Sequence, residues 1–361
     1  MAGVYLSHPF CAQKCSYCNF ASGVFPRELS EAYPEALRAE LRSMEWPWVP
    51  DTVYWGGGTP SQMDPALLAS LQEGIPGRPW REATIEAAPG GITREKAGAW
   101  VGGGINRVSL GVQSFITKEL ARTGRKHTAQ IVQQEVEILR EAGIANINID
   151  LIAGLPGQTR ESWTESLDWV ERLQAPHVSV YMLEVDEDSR LGSEILTLGK
   201  RYGAPDVPCE DQVAELYETA VSRLAGWGVA RYEISNFARP GYESAHNLKY
   251  WRREPYLGFG SDAHSFDGAM RWQNVESAAE YVERWKNGKS VVAGKTAADE
   301  VGEPFFLGLR LSEGIPVGVT DFRPGVERFI KEGLLEETGG RLRLTSRGVL
   351  LSNEVFAEFV S

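Results

Sequence analysis

The chain has 361 residues, enough for one large sheet or barrel domain with a smaller companion. Its 42% apolar and 24% charged residues are those of a globular protein. No basic start with a long apolar run and no stretch of about 20 apolar residues is present, so secretion and membrane spanning are not expected. The net charge of −12, with only short basic runs such as Lys249 to Arg253, argues against a nucleic-acid partner.

From residue 3 to about 235, short β-rich runs alternate with helical periodicity, the pattern of βα units around a parallel sheet. The first strand, Val4-Tyr5-Leu6, leads into a loop carrying Cys11, Cys15 and Cys18, three of the four cysteines in the chain. Three thiolates at this spacing can wrap one metal centre, yet they do not close a tetrahedral zinc site. They suit a [4Fe–4S] cubane with one open iron. An incomplete zinc loop or three core cysteines are the alternatives. Exposed cluster thiolates need a reducing compartment, which agrees with a cytoplasmic location. Cys209, far away at the start of a helical stretch, reads as structural.

A helix is expected from about Glu28 to Met44, then strands at Thr52–Trp55, Thr84–Glu86, Arg107–Gln113, Ile147–Ile152 and Val178–Leu183. Thr128 as N-cap, Val132, Val136 and Leu139 at helical spacing, and Gly143 mark one helix. Trp163, Leu167, Val170 and Leu173 mark another. Six strands, each followed by a helix, suggest an α/β fold: an open (β/α)6 partial TIM barrel with ligands at the C-terminal strand ends.

The motifs lie at those ends. Gly56-Gly57-Gly58-Thr59 follows the second strand, where the lack of Cβ atoms lets backbone approach a ligand or make a plain tight turn. Glu86 and Asp150 place carboxylates at strand ends, Gln113 an orienting amide, and Arg125 a guanidinium suited to a carboxylate.

Cys11-x-x-x-Cys15-x-Tyr17-Cys18 resembles the signature of the radical S-adenosylmethionine (SAM) superfamily. That resemblance implies a [4Fe–4S] cluster on Cys11, Cys15 and Cys18. SAM would chelate the fourth iron, and one electron from the cluster could cleave it to a 5′-deoxyadenosyl radical. It also implies SAM contacts from Tyr5, Tyr17, Gly57, Gly58, Thr59, Glu86, Gln113, Arg125 and Asp150. From Tyr5 to about Leu183 the motifs are similar to those of the oxygen-independent coproporphyrinogen III oxidase branch. Two departures count against that oxidase: Phe20 stands where it has a further cysteine, and the chain begins only four residues ahead of Tyr5, without its N-terminal arm.

His246-Asn247-Leu-Lys-Tyr250-Trp251 resembles the hallmark of the HemW haem-chaperone family; so does Tyr256 to Ser265, with Asp262 where a glycine is expected. The resemblance implies a haem-trafficking protein, with haem as cargo and acceptor haemoproteins as partners. It leaves open peripheral membrane association at respiratory acceptors, and a homodimer. His246 is the candidate haem ligand, with His264 behind it; the alternative is that both are hydrogen-bonded core or turn residues. No acid or base catalyst is assigned; radical decarboxylation of coproporphyrinogen III is the rival activity. The expected organisation is a radical SAM core over 1–232, a connecting region over 233–295, and a winged-helix-like module over 296–361. A Gly339-Gly340 hairpin and a last helix from about Arg347 to Phe359 define that module, whose expected role is docking or covering the site.

Overall fold

The computed structural model describes residues 1–318 and 323–360. Six parallel strands form its centre: β1 (Ala2–His8), β2 (Pro50–Gly57), β3 (Glu82–Ala87), β4 (Arg107–Gln113), β5 (Asn146–Ala153) and β6 (His177–Met182). Each crossover carries helix, and the two expected apolar stripes lie beneath the sheet's outer face. Val132, Val136 and Leu139 are buried on helix Ala129–Glu141, which Thr128 caps by accepting from the Ile131 N–H. Trp163, Leu167, Val170 and Leu173 are buried on helix Arg160–Leu173. Exposed Cys209 stands at the N-cap of helix Glu210–Gly226, its N–H donating to Gln212 Oε1 (3.0 Å).

The sheet is wider than the sequence suggests. Beyond β6 it continues through β8 (Asn236–Ala238) to β7 (Ala230–Arg231), both antiparallel additions. Beyond β1 it continues through β9 (Tyr256–Phe259), β10 (His264–Phe266), β11 (Met270–Asn274) and β12 (Val292–Ala297), giving twelve strands among the described residues. The segment expected as a connector therefore supplies five strands of the main sheet, β8 to β12, the last running two residues past it. These strands are short, and β12 is mostly exposed, so they lack the apolar periodicity that marks a strand in a sequence.

The two faces of the central strands differ in chemistry. Val4, Leu6, Val53, Trp55, Ile85, Val108, Leu110, Ile149 and Val180 point outward and are packed under helices. The alternate residues point inward and are polar: Thr52, Glu82, Thr84, Arg107, Ser109, Asn148, His177 and Ser179 are all buried. A period of two puts each set on one face. The apolar set builds the core and leaves the concave face to polar groups.

The C-terminal module holds a small sheet of β13 (Ile315–Pro316), β14 (Leu335–Thr338) and β15 (Arg341–Leu344). Gly339 and Gly340 turn the β14–β15 hairpin with φ of 61° and 73°, the left-handed region that two-residue hairpins need. The final helical stretch is two short helices, Ser346–Leu350 and Ser352–Ala357, because Leu351 leaves helical geometry. Helix Glu303–Gly308 of this module packs on helix Ala245–Trp251. The Ser312 N–H donates to the Tyr232 carbonyl (2.9 Å), and Arg310 lies over the Trp251 ring at 4.4 Å. Because helix Ala245–Trp251 lies under the N-terminal halves of β1 and β2, the module docks on the floor of the barrel and does not cover the cysteine loop. No helix among the described residues is long and apolar enough to cross a membrane.

Candidate functional site at the strand ends

The cysteine loop leaves β1 and is pinned from several sides. The Cys11 N–H donates to the Gly23 carbonyl (2.8 Å), and the Ser16 N–H donates to Thr123 (3.3 Å). The Gly58 and Thr59 N–H groups donate to His8 (2.7 Å) and Phe10 (2.9 Å). A Cβ on Gly58 would stand 2.6 Å from the Phe10 carbonyl oxygen, so the glycine lets the end of β2 lie flat against the loop. The glycine run thus has an intramolecular reason as well as the expected ligand one.

Cys11, Cys15 and Cys18 are half-buried free thiols. Burial pushes the Cys11 thiol up, an effect partly offset by the Thr59 and Ser22 hydroxyls. Among the described residues no three His, Cys, Asp or Glu side chains converge on a single ion position. The donor set still fits an iron–sulfur cluster by its chemistry: three thiols on one loop, with the Arg125 guanidinium beside Cys15 and Tyr17.

The concave face below the loop carries the other expected residues. Tyr5 stacks on Tyr54 with ring centroids 6.1 Å apart. Glu86 accepts from the Tyr54 hydroxyl (2.9 Å) and from the Gly57 N–H (3.2 Å). Burial pushes its carboxyl up to about 7, and the nearby Asp150 adds to the rise. Asp150 accepts from Asn148 Nδ2 (2.6 Å) and Ser109 Oγ (3.2 Å), and burial raises its carboxyl too.

Gln113 sits at a register shift between β4 and β5 with φ of 69°, a left-handed conformation that glutamine rarely adopts. Its Oε1 is buried without a hydrogen-bond partner, and so is Arg125 Nε, while Arg125 Nη1 donates to the Gly111 carbonyl (2.6 Å). A Cβ on Gly111 would lie 3.2 Å from Gln113 Nε2 and 3.7 Å from Arg125 Nη2, so the two side chains share one space. Buried polar atoms left unpaired beside a concavity are what a polar ligand would satisfy. The residues therefore fit a small zwitterionic nucleotide.

His246 is placed elsewhere. It is fully buried on the floor, with Nδ1 bonded to Thr52 Oγ1 (2.9 Å) and Nε2 to the Tyr250 hydroxyl (2.8 Å). Burial lowers its imidazole to about 3. Both ring nitrogens are thus engaged within the protein. The motif that carries His246 sits in the barrel floor, and ligation of a haem iron by His246 would require one of these two hydrogen bonds to be given up. Glu82 accepts from the backbone N–H groups of Ala245 and His246 (both 2.9 Å) and fixes the start of that helix.

Sequence reasoning missed Tyr54, Ser109 and Asn148, which hold Glu86 and Asp150. The available signal was the period-two polar pattern inside otherwise apolar strands.

Residues 5–170 match the family model described as the radical SAM superfamily, and 296–351 match that of the HemN C-terminal domain. The chain is 34% identical to the heme chaperone HemW of Lactococcus lactis subsp. lactis over 99% of this chain and 96% of that one. It is 33% identical to that of Bacillus subtilis over 100% and 99%, and 36% identical to that of Mycobacterium tuberculosis over 98% and 93%. Among solved structures it resembles coproporphyrinogen III oxidase (HemN) from Escherichia coli, with a TM-score of 0.85 and 22% identity over 99% of this chain and 89% of that one. That last likeness is one of fold.

Proposed function

The chain belongs to the HemW family of radical SAM proteins, and from that premise we propose that it binds haem and passes it to acceptor haemoproteins. What supports this reading is similarity to proteins described as heme chaperones that runs through nearly the whole chain. Cys11, Cys15 and Cys18 would hold three irons of a [4Fe–4S] cluster, with SAM on the fourth; such a centre supplies one-electron chemistry when bound. Arg125 would face the SAM carboxylate, while the Gln113 amide would orient its polar groups. Thr59 and the glycine run would offer backbone to its methionyl end. Tyr54 and Gly57 hold Glu86, and Asn148 and Ser109 hold Asp150, so both carboxylates are oriented before any ligand arrives.

The test is a titration of hemin into the anaerobically reconstituted protein, followed by transfer to an apo-haemoprotein. Stoichiometric uptake with a Soret band, and its loss to the acceptor, is the expected result. The same preparation given coproporphyrinogen III, SAM and a reductant is expected to form no vinyl product. Vinyl product without hemin uptake would replace this function with oxidative decarboxylation.

A further inference from the structure

Polar side chains join the strand-end site to the far edge of the central arc. Asp150 and Asn148 lie on the same face of β5. Asn148 stands opposite His177 on β6, and Asp150 opposite Ser179. Ser179 in turn stands opposite Asn236 on β8. Two hydrogen-bonded relays leave Asn148 across this register. The first links Asn148 Oδ1 to His177 Nδ1 (2.7 Å) and His177 Nε2 to the Tyr232 hydroxyl (2.9 Å). In the second, Asn148 Nδ2 donates to Ser179 Oγ (2.9 Å), Ser179 Oγ to Asn236 Oδ1 (2.8 Å), and Asn236 Nδ2 to Glu233 Oε1. Asn148, His177, Ser179, Asn236 and Glu233 are all buried, so these bonds face little competition from water.

Chemistry fixes the direction of the first relay. The Asp150 carboxylate accepts from Asn148 Nδ2 (2.6 Å), which leaves the Asn148 carbonyl oxygen facing His177. That oxygen can only accept, so the imidazole proton sits on Nδ1. Burial, with Arg107 nearby, holds the His177 imidazole well below its usual range and therefore neutral. Nε2 then accepts and the Tyr232 hydroxyl donates, while the Tyr232 oxygen accepts from the Ser244 N–H (3.2 Å). Every donor in this relay points toward Asp150. One tautomer and one amide orientation satisfy it, so a shift of Tyr232 is felt at the carboxylate.

Both relays end where the C-terminal module docks. The Tyr232 carbonyl accepts from the Ser312 N–H, and the Arg231 carbonyl from Ser312 Oγ (3.0 Å). Glu233 forms an antiparallel bridge with Leu311. Beside it the Arg310 guanidinium stands 3.7 Å from Glu233 Oε2, and neither that oxygen nor Arg310 Nε has a hydrogen-bond partner. Tightly bonded relays thus end on a looser joint, and the joint is the part with room to tighten.

We propose that His177, Tyr232, Ser179 and Asn236 are positioning residues for Asp150, and that through them docking of residues 310–312 and nucleotide binding at the strand ends favour each other. This inference rests on the reading of Asp150 as a SAM contact. A docked module holds Tyr232 and Glu233 in place, so Asp150 is already oriented when a ribose hydroxyl arrives, and less ordering is lost on binding. Reciprocity then requires bound SAM to hold the module more tightly by the same factor.

The experiment uses the anaerobically reconstituted full-length protein, with SAM affinity read by calorimetry and hydrogen–deuterium exchange followed over residues 303–312. In the wild type, SAM is expected to slow that exchange. Arg310→Ala, at the end of a relay away from the nucleotide, is expected to bind SAM at least about fivefold more weakly, the lower end of ordinary couplings, and Arg310→Lys to recover most of the loss. Tyr232→Phe combined with Ser179→Ala is expected to show a similar deficit and to lose the SAM effect on exchange. Arg252→Ala breaks the module's pair with Glu313 (3.2 Å) outside both relays and is expected to bind SAM as wild type does. Circular dichroism checks the folding of each variant. Unchanged SAM affinity in Arg310→Ala, an equal loss in Arg252→Ala, or exchange that ignores SAM in the wild type or still responds to it in the double variant overturns the coupling while the SAM site stands. Failure of the wild type to bind SAM overturns that site instead.

Discussion

The floor and the mouth of the barrel are built from the same residue types on the same concave face, and they are finished differently. On the floor, Glu82, Arg107, His246, Tyr250 and Thr52 are buried together; Glu82 takes three donors from residues 244 to 246. Lys249 beside them pairs with Asp51 (2.8 Å) and Glu254 (3.1 Å). At the mouth, Gln113 Oε1 and Arg125 Nε are left unpaired, and Gln113 holds a strained backbone. Buried atoms without a hydrogen bond occur on the floor as well, at Arg107 Nε and the Asp51 carboxylate, but these lie beside the opposite charges of Glu82 and Lys249, whereas Gln113 and Arg125 border the concavity.

The largest effect should come from the floor. Glu82→Ala would leave Arg107 buried without its counter-charge, the two now lying 4.0 Å apart. A stability loss of about 3–5 kcal/mol is expected in urea denaturation. A variant as stable as wild type would erase the contrast between floor and mouth.

A smaller effect sharpens the contrast through pH. Glu86 has its carboxyl raised from an ordinary 4.5 to about 7, so the folded state binds the proton more tightly than the unfolded chain. The stability this contributes is fully present below pH 4.5 and is lost as pH rises through 7. After screening at a half-buried site, about 1–2 kcal/mol should disappear across that window. Glu86→Gln should remove that part of the slope in pH-dependent denaturation; an unchanged slope would assign the effect to another group.

The smallest change in stability should occur at the mouth. Gln113→Gly relieves the left-handed strain while adding chain entropy to the unfolded state, so stability should stay within about 1 kcal/mol. SAM affinity, measured by calorimetry on the reconstituted protein, should nonetheless fall roughly tenfold for the loss of one hydrogen bond to a charged ligand. A large loss of stability with SAM binding intact would place Gln113 with the floor.

Much of the site was legible before the structure. Strong strand–helix alternation from Tyr5 to Leu183 located the six central strands, and the rule that ligands gather at strand ends located Glu86, Gln113 and Asp150. The hydrogen bonds of His246 to Thr52 and Tyr250 were not legible, because a motif reports which residues recur together and not which partners its nitrogens find. Phe20, noted only as a substitution, has its ring exposed on the cysteine loop, while its carbonyl accepts from Lys14 Nζ (3.1 Å) and the Ser22 N–H (2.7 Å).

By itself the sequence determined the central barrel, the apolar outer face and the cysteine loop, because those rest on local periodicity and on spacings of a few residues. Tertiary structure alone decided that residues 256–297 widen the same sheet, that the C-terminal module docks beneath the barrel, and which histidines keep an open nitrogen. The reason is physical. Hydrogen-bond satisfaction is settled between residues far apart in the chain, as with Thr52 and His246 or Tyr33 and Ser261, and no local pattern encodes such a pairing.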